Sequence, residues 1–281
     1  MAHNARSLPP PQAQRRPVQI TKHDDVRVDD FFWLRERDNP EVLQYLAAEN
    51  DYTAAVMAPT QALQETLYQE MVGRIRETDV SAPLPEGDYW YYERTEAGKN
   101  YPILCRRKRG DAAEEEILLD LNEMALGRAF CDLGEWRVSP EQNLLAYCLD
   151  LDGNEAFVVH IKRLDTGAML PERIGNAYYG LEWDATSQYV FYTTLGEAHR
   201  PDSVWRHRVG DDPAADVRVF YEPDIRYEAG VLKTSDGASL LVTLTSNTQT
   251  EIWHVPAALP PADPQPLAVR GAQHEYSVDR R

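Results

Sequence analysis

The chain has little cysteine, no excess of positive charge, no long apolar run and no glycine-rich loop, and each absence removes a class of function. Three cysteines in 281 residues, Cys105, Cys131 and Cys148, form no Cys-x-x-Cys pair and no zinc-like spacing. They read as small core residues of a reducing compartment. Lys and Arg number 29 against 46 Asp and Glu, a formal charge of −17. Nucleic-acid binding, which needs clustered cations on phosphates, is therefore disfavoured. A surface this acidic attracts cationic ligands, although simple solvation is the plainer reading. No apolar stretch approaches the roughly 20 residues of a membrane-spanning helix. Residues 1–20 carry Arg6, Arg15, Arg16 and four prolines with no apolar segment, so no signal peptide is expected. A soluble, cytoplasmic protein without membrane or nucleic-acid partners follows. The 15 glycines are scattered among turns and build no nucleotide loop, and no cofactor is expected.

What is present divides at about residue 76. Pro9, Pro10, Pro11 and Pro17 give residues 1–20 the look of an extended arm that resists regular pairing. Asn39 then caps a helix with Pro40 at its first position and Glu41 at the positive end of its dipole. Val42, Leu43, Leu46 and Ala47 form its apolar stripe. A second helix begins near Pro59 or Thr60, with Leu63, Leu67, Met71 and Ile75 recurring every four residues. Both stripes are expected to face a core.

From about residue 78 short β-type runs alternate with turns such as Glu96-Ala97-Gly98, Asp152-Gly153-Asn154, Asp165-Thr166-Gly167 and Ser235-Asp236-Gly237. No helix is expected here. The runs repeat: Trp136 and Trp183 lie 47 residues apart, Tyr147 and Tyr192 45, Trp205 and Trp253 48. Val231-Leu232-Lys233 and Leu240-Leu241-Val242 form a third leading pair. Tyr89–Tyr92 and Tyr101–Cys105 fit as a degenerate first copy. Short strands with a period of roughly 40–50 residues are the signature of propeller blades, which bury their faces only against their neighbours. A β-sandwich would show no such period. The fold class is mainly β, four blades preceded by a helical arm, and His274-Glu275-Tyr276-Ser277-Val278 is expected to open a fifth.

No chemistry is legible in the residues themselves. None of the nine serines sits in Gly-x-Ser-x-Gly, the strained turn that exposes an α/β-hydrolase nucleophile. Ser235 and Ser239 share only Gly237 and belong to a turn. His160, His207 and His254 fall in predicted strands, where a hydrogen-bonded histidine is the ordinary case, and His274-Glu275 lacks a second histidine at metalloprotease spacing. Asp150, Asp152 and Asn154 suggest a calcium loop, but Glu155 and Ile161 stand where that loop needs glycine and a bidentate glutamate. Asp24-Asp25, Asp29-Asp30 and Asp211-Asp212 read as solvated turns. Arg106-Arg107-Lys108-Arg109, followed by Glu114-Glu115-Glu116, reads as a self-compensating exposed hairpin. No catalytic, cofactor-binding or metal-binding residue is assigned.

A resemblance supplies what the residues do not. His23-Asp24-Asp25-Val26-Arg27-Val28-Asp29-Asp30-Phe31-Phe32-Trp33-Leu34-Arg35 strongly resembles the N-terminal signature of prolyl-oligopeptidase-type serine peptidases, and Asn39–Val42 and Leu46–Asn50 continue it. Glu70–Ile75, Tyr101-Pro102-Ile103, Leu119–Asn122, Val138-Ser139-Pro140, Arg200–His207 and Glu275–Asp279 look like the oligopeptidase B branch. The likeness covers residues 15–281. It departs at Asp24, where the family commonly has glycine, and at Ala129 and Cys131, where acidic or aromatic residues are frequent. The resemblance implies a seven-bladed propeller over a C-terminal α/β-hydrolase domain, with the helical arm packed back on that domain. It implies cleavage of short peptides after Arg or Lys by a Ser–His–Asp triad C-terminal to the residues present. The expected organisation is an arm over 1–76 and an incomplete propeller over 77–281, gating substrate by size, with the catalytic domain absent and the chain inactive and poorly stable alone. The alternative is a non-enzymatic propeller scaffold derived from a truncated peptidase gene. An unrelated lectin-like or adaptor propeller would have no reason to carry the arm around Trp33.

Overall fold

Trp33 anchors the first of the two units into which the chain divides, Met1–Arg76 and Glu77–Arg281. The computed structural model describes residues 9–110, 114–196, 198–258, 262–268, 270–271 and 275–280. Trp33 is buried, and its indole N–H donates to the Gln14 carbonyl at 2.8 Å. The Arg16 guanidinium lies 4.5 Å from the ring centroid and pairs with Glu41, so one aromatic ring ties the extended arm to the helix that follows.

The arm is more ordered than its prolines suggest. Strands β1 (Val18–Lys22) and β2 (Asp25–Asp29) form an antiparallel hairpin with Lys22 opposite Asp25. Pro17 falls one residue before the ladder, so the missing N–H costs no pairing. His23 and Asp24 make the two-residue turn, both left-handed at φ 51° and 63°, the geometry of a tight hairpin. Glycine would meet no steric penalty there.

Helix α1 (Pro40–Met57) starts where the cap predicts, with the Asn39 side chain accepting from the Glu41 N–H at 3.0 Å. Helix α2 (Gln61–Val72) follows a 3-10 turn over Ala58–Thr60. Its stripe does not face a core within this unit: Leu63, Leu67 and Met71, with Ile75 just beyond, are 46–64% exposed. In α1, Val42 is buried while Leu43 and Leu46 are exposed.

The second unit is a series of antiparallel blades. The first is β3 (Leu84–Glu86), β4 (Tyr89–Arg94), β5 (Ile103–Lys108) and β6 (Glu115–Asp120). The second is β7 (Asp132–Val138), β8 (Leu144–Asp150) and β9 (Phe157–Arg163), with an isolated Lys162–Met169 bridge at its outer edge. The third is β10 (Ile174–Trp183), β11 (Tyr189–Leu195), β12 (Pro201–Arg208) and β13 (Val217–Tyr221), the start of β10 also pairing with β9. The fourth is β14 (Glu228–Lys233), β15 (Ser239–Thr245), β16 (Thr250–Pro256) and β17 (Gln265–Ala268). Leading strands neighbour one another, β7 beside β10 and β10 beside β14, as propeller blades require around an axis.

Three expectations change. Tyr89–Tyr92 is the second strand of its blade, because the short Leu84-Pro85-Glu86 pairs ahead of it. One turn of helix, α3 (Leu121–Met124), does interrupt the β half, capped by Asp120. Glu275–Val278 forms no strand, and His274 lies outside the described residues. Instead the Tyr276 hydroxyl accepts from the Ile252 N–H, and the Asp279 carboxylate accepts from both the N–H and the hydroxyl of Ser235.

The core consists of the interfaces between blades. In β8, Leu144, Ala146 and Cys148 pack towards the third blade with Phe157, Leu181 and Trp183, while Leu145, Tyr147 and Leu149 pack towards the first with Tyr91, Leu104 and Leu118. In β11, Val190 and Tyr192 face the second blade and Phe191 the fourth. Period-two alternation between two apolar faces is why these strands read as unbroken hydrophobic runs.

One turn design closes the leading hairpins. Ser139, Asp184 and Thr234 each end a leading strand, pair through the backbone with a residue five positions on (Leu144, Tyr189, Ser239), and accept its N–H on the side-chain oxygen at 3.0–3.1 Å. The residue three positions on is left-handed each time: Gln142, Ser187 and Gly237. Two of these non-glycine residues bind the preceding blade. Gln142 donates to the Glu86 carbonyl at 2.8 Å and accepts from the Asp88 N–H at 3.1 Å, and the Ser187 hydroxyl accepts from the Glu141 N–H at 3.1 Å. Gly87 must lack a side chain, since a Cβ there would meet the Gln142 amide at 1.8 Å.

Gln142→Ala is expected to lower unfolding free energy by about 1–2 kcal/mol in urea titrations, because two backbone groups lose their partner. Asp24→Gly is expected to raise it, by a few tenths to about 1 kcal/mol, by relieving the left-handed turn.

Candidate functional site

The leading strands carry a rail of alternating charge. Arg137 on β7 bonds Glu182 on β10 at 3.1 Å and Glu135 on its own strand at 2.7 Å. Lys233 on β14 continues the series. Burial pushes the Glu182 carboxyl upward against the opposing pull of Arg137, and burial pushes Lys233 downward against Glu182 and Asp184. The rail can hold charged groups but contains no nucleophile.

A second group lies where β9 and β10 leave their loops. Tyr178 and Tyr179 pack edge to face at 4.9 Å, and Phe157 meets Tyr179 at 5.1 Å. Both phenols are pushed up, by burial first and then by carboxylates: Glu155 and Glu228 at Tyr178, Asp132 and Glu155 at Tyr179. Asp132, Glu155 and Glu228 have no cationic partner among the described residues. Aromatic faces with unpaired carboxylates suit a cationic side chain.

The serines and histidines weighed from the sequence do meet partners, but never in one constellation. The Ser239 hydroxyl is 2.9 Å from His254 Nε2, yet Ser239 is buried in the fourth blade at the start of a strand, and among the described residues none hydrogen-bonds to the other ring nitrogen. His207 is fully buried in the third blade with Nδ1 2.7 Å from Asp216, whose other oxygen accepts from the Tyr192 hydroxyl at 2.8 Å. His207 Nε2 lies 3.9 Å from Glu172, and among the described residues no group hydrogen-bonds to it. So a Ser–His pair and a His–Asp pair sit on different blades.

Ser235 binds Asp279. Asp150 accepts the N–H groups of Asp152, Gly153 and Glu155 at 2.8–3.0 Å, closing a turn, and these bonds pull its carboxyl down although burial works the other way. Among the described residues no group of three metal-ligating side chains converges. Arg106 is buried, correcting the exposed hairpin expected there: it packs 4.1 Å over Tyr89, pairs with Glu116 at 2.8 Å and donates to the Gln142 carbonyl. Arg107 faces Glu115 across the same ladder, so the basic run is compensated strand to strand. The cysteines are free and buried, and burial pushes the Cys148 thiol up to about 12. Sequence reasoning missed the rail and the tyrosine patch, because Arg137 and Glu182 are 45 residues apart, and Asp132 and Glu228 lie 47 and 50 residues from the tyrosines they approach, so they gather only when blades stack.

A family model described as the N-terminal β-propeller domain of prolyl oligopeptidase matches residues 10–281. The chain belongs to the prolyl oligopeptidase family. Among its curated relatives it is similar to Protease 2 of Moraxella lacunata, 38% identical over 249 residues, covering 86% of this chain and 36% of that protein. It is similar to dipeptidyl aminopeptidase BI of Pseudoxanthomonas mexicana, 35% identical over 294 residues, covering 98% of this chain and 40% of that one. Among solved structures it resembles oligopeptidase B from Leishmania major, with a TM-score of 0.90 and 28% identity over 98% of this chain and 41% of that one. The chain thus spans about two fifths of the length of these relatives, and the part it matches is the propeller end of the family. No helix among the described residues is long and apolar enough to cross a membrane.

His160 stacks on Tyr147 at 5.2 Å, and burial, helped by Arg173, holds its imidazole down at about 4. With the folded value below the unfolded one of about 6.5, the unfolded chain takes up a proton that the folded chain refuses. This contribution is whole above pH 6.5 and is lost as pH falls from 6.5 towards 4. Urea titrations at pH 7 and pH 5 are expected to differ less in His160→Gln than in the parent.

Proposed function

We propose that this chain is the substrate-gating part of a cytoplasmic serine oligopeptidase that cleaves short peptides after Arg or Lys. Its nucleophile, histidine and aspartate would come from a C-terminal α/β-hydrolase domain outside these 281 residues. The observation that carries the reading is that the match to full-length family peptidases is confined to the propeller, over 36–41% of their length.

Three features support it. The net charge of −17 and the carboxylates around Tyr178 and Tyr179 favour cationic peptides over neutral ones. The exposed stripe of Leu63, Leu67, Met71 and Ile75 is a surface that a partner domain would cover. Among the described residues neither the Ser239–His254 pair nor the His207–Asp216 pair is completed into a Ser–His–Asp triad, so the chain alone is inactive in this reading. An enclosed propeller and a cleft that opens and closes would then exclude folded proteins by size.

The test is enzymatic. The 281-residue chain is expected to leave Arg-containing fluorogenic peptides uncut, whereas a chain extended through its downstream coding sequence, carrying Gly-x-Ser-x-Gly and then Asp and His, is expected to cut them after the basic residue. Downstream sequence without that motif would overturn the peptidase reading in favour of a binding scaffold. Because one relative is named a dipeptidyl aminopeptidase, substrates with free and blocked N-termini separate exopeptidase from endopeptidase action.

A further inference from the structure

A cavity of about 500 Å³ opens on the third blade, lined by Arg200, Asp202, Trp205, Arg218 and Tyr221 among others, a size within the roughly 300–1,000 Å³ of small-ligand sites. Its charges are held but not spent. Arg218 lies across the ladder from Trp205, with its guanidinium 5.7 Å from that ring and 4.8 Å from the Tyr221 ring, and it meets no acceptor among the described residues. Arg200 donates through its two terminal nitrogens to the Tyr227 and Glu222 carbonyls, yet its Nε–H is buried without an acceptor.

The opposite charge faces the same space. Among the described residues Asp202 accepts only the hydroxyl of its neighbour Ser203, at 2.7 Å, and pairs with no cation. Gly196 makes room for it, since a Cβ there would stand 1.9 Å from Asp202 Oδ2. The two charges do not neutralise each other, because Asp202 forms no ion pair with Arg218 or Arg200. A guanidinium already fixed on two rings loses little freedom on taking a carboxylate in its fork.

We propose that this cavity binds a small zwitterion, a free amino acid or dipeptide, with its carboxylate on Arg218 and its ammonium group on Asp202. The inference stands on the chemistry of the cavity and does not depend on the peptidase reading.

Isothermal titration of the full 281-residue chain with glycylglycine at low salt tests it. Saturable one-site binding is expected, weakened at least about tenfold by an N-acetyl cap and by amidation of the carboxylate, each of which removes one charge-assisted contact. Arg218→Gln and Asp202→Asn should weaken it similarly. The N-acetyl cap should add nothing further in Asp202→Asn, as expected when cap and substitution remove the same contact. Absence of saturation at tens of millimolar, or equal binding of capped and uncapped dipeptides, would overturn the proposal. So would loss in Arg218→Gln with Asp202→Asn silent, which would indicate a bare anion site. The capped ligands act on the unmodified chain, so the result does not hinge on either variant folding.

Discussion

A twisted sheet of four short strands has two apolar faces and can bury them only against another such sheet. That constraint governs the second unit. It makes β8 apolar from Leu144 to Leu149, because Leu144, Ala146 and Cys148 serve one neighbour while Leu145, Tyr147 and Leu149 serve the other. It sets the repeat length, since each blade must supply the same faces in the same order. It also explains why the cysteines are inert. Cys148 belongs to the interface itself, where a thiolate would have no solvation.

Apolar faces slide, and polar bonds fix the register between them. Arg106 reaches from the first blade to the Gln142 carbonyl of the second, and Lys162 returns from the second to the Leu118 carbonyl of the first at 2.7 Å. The Trp183 indole donates to the Arg137 carbonyl at 2.9 Å beside the Arg137–Glu182 pair. These bonds are directional where the packing is not, so one stacking geometry is selected.

Much of the fold was legible because its signals are local. Asn39-Pro40-Glu41 sets a helix start through three adjacent residues, and the Trp136–Trp183 period marks equivalent strands. The first blade was misframed because Leu84-Pro85-Glu86 has neither length nor alternation. The β1–β2 hairpin was missed because its turn, His23-Asp24, lacks the glycine that would announce it. The stripes on α2 show the limit of periodicity: it reports that a face is apolar, not whether these residues supply its cover. The sites were less legible still. Nothing in the sequence says that Asp202 and Arg218, or Tyr178 and Glu228, share a space, because their approach depends on how strands and blades pair.

The turns that close the leading hairpins have a direction. Asp88 waits for Gln142, Glu141 for Ser187, and Ser235 for Asp279, so in each case an earlier N–H is met by a side chain 44–54 residues later. On a ribosome, an emerging blade is therefore left with an unanswered amide until the next stretch of chain leaves the exit tunnel. In the folded chain such an amide is answered by the following stretch of chain rather than by its own blade.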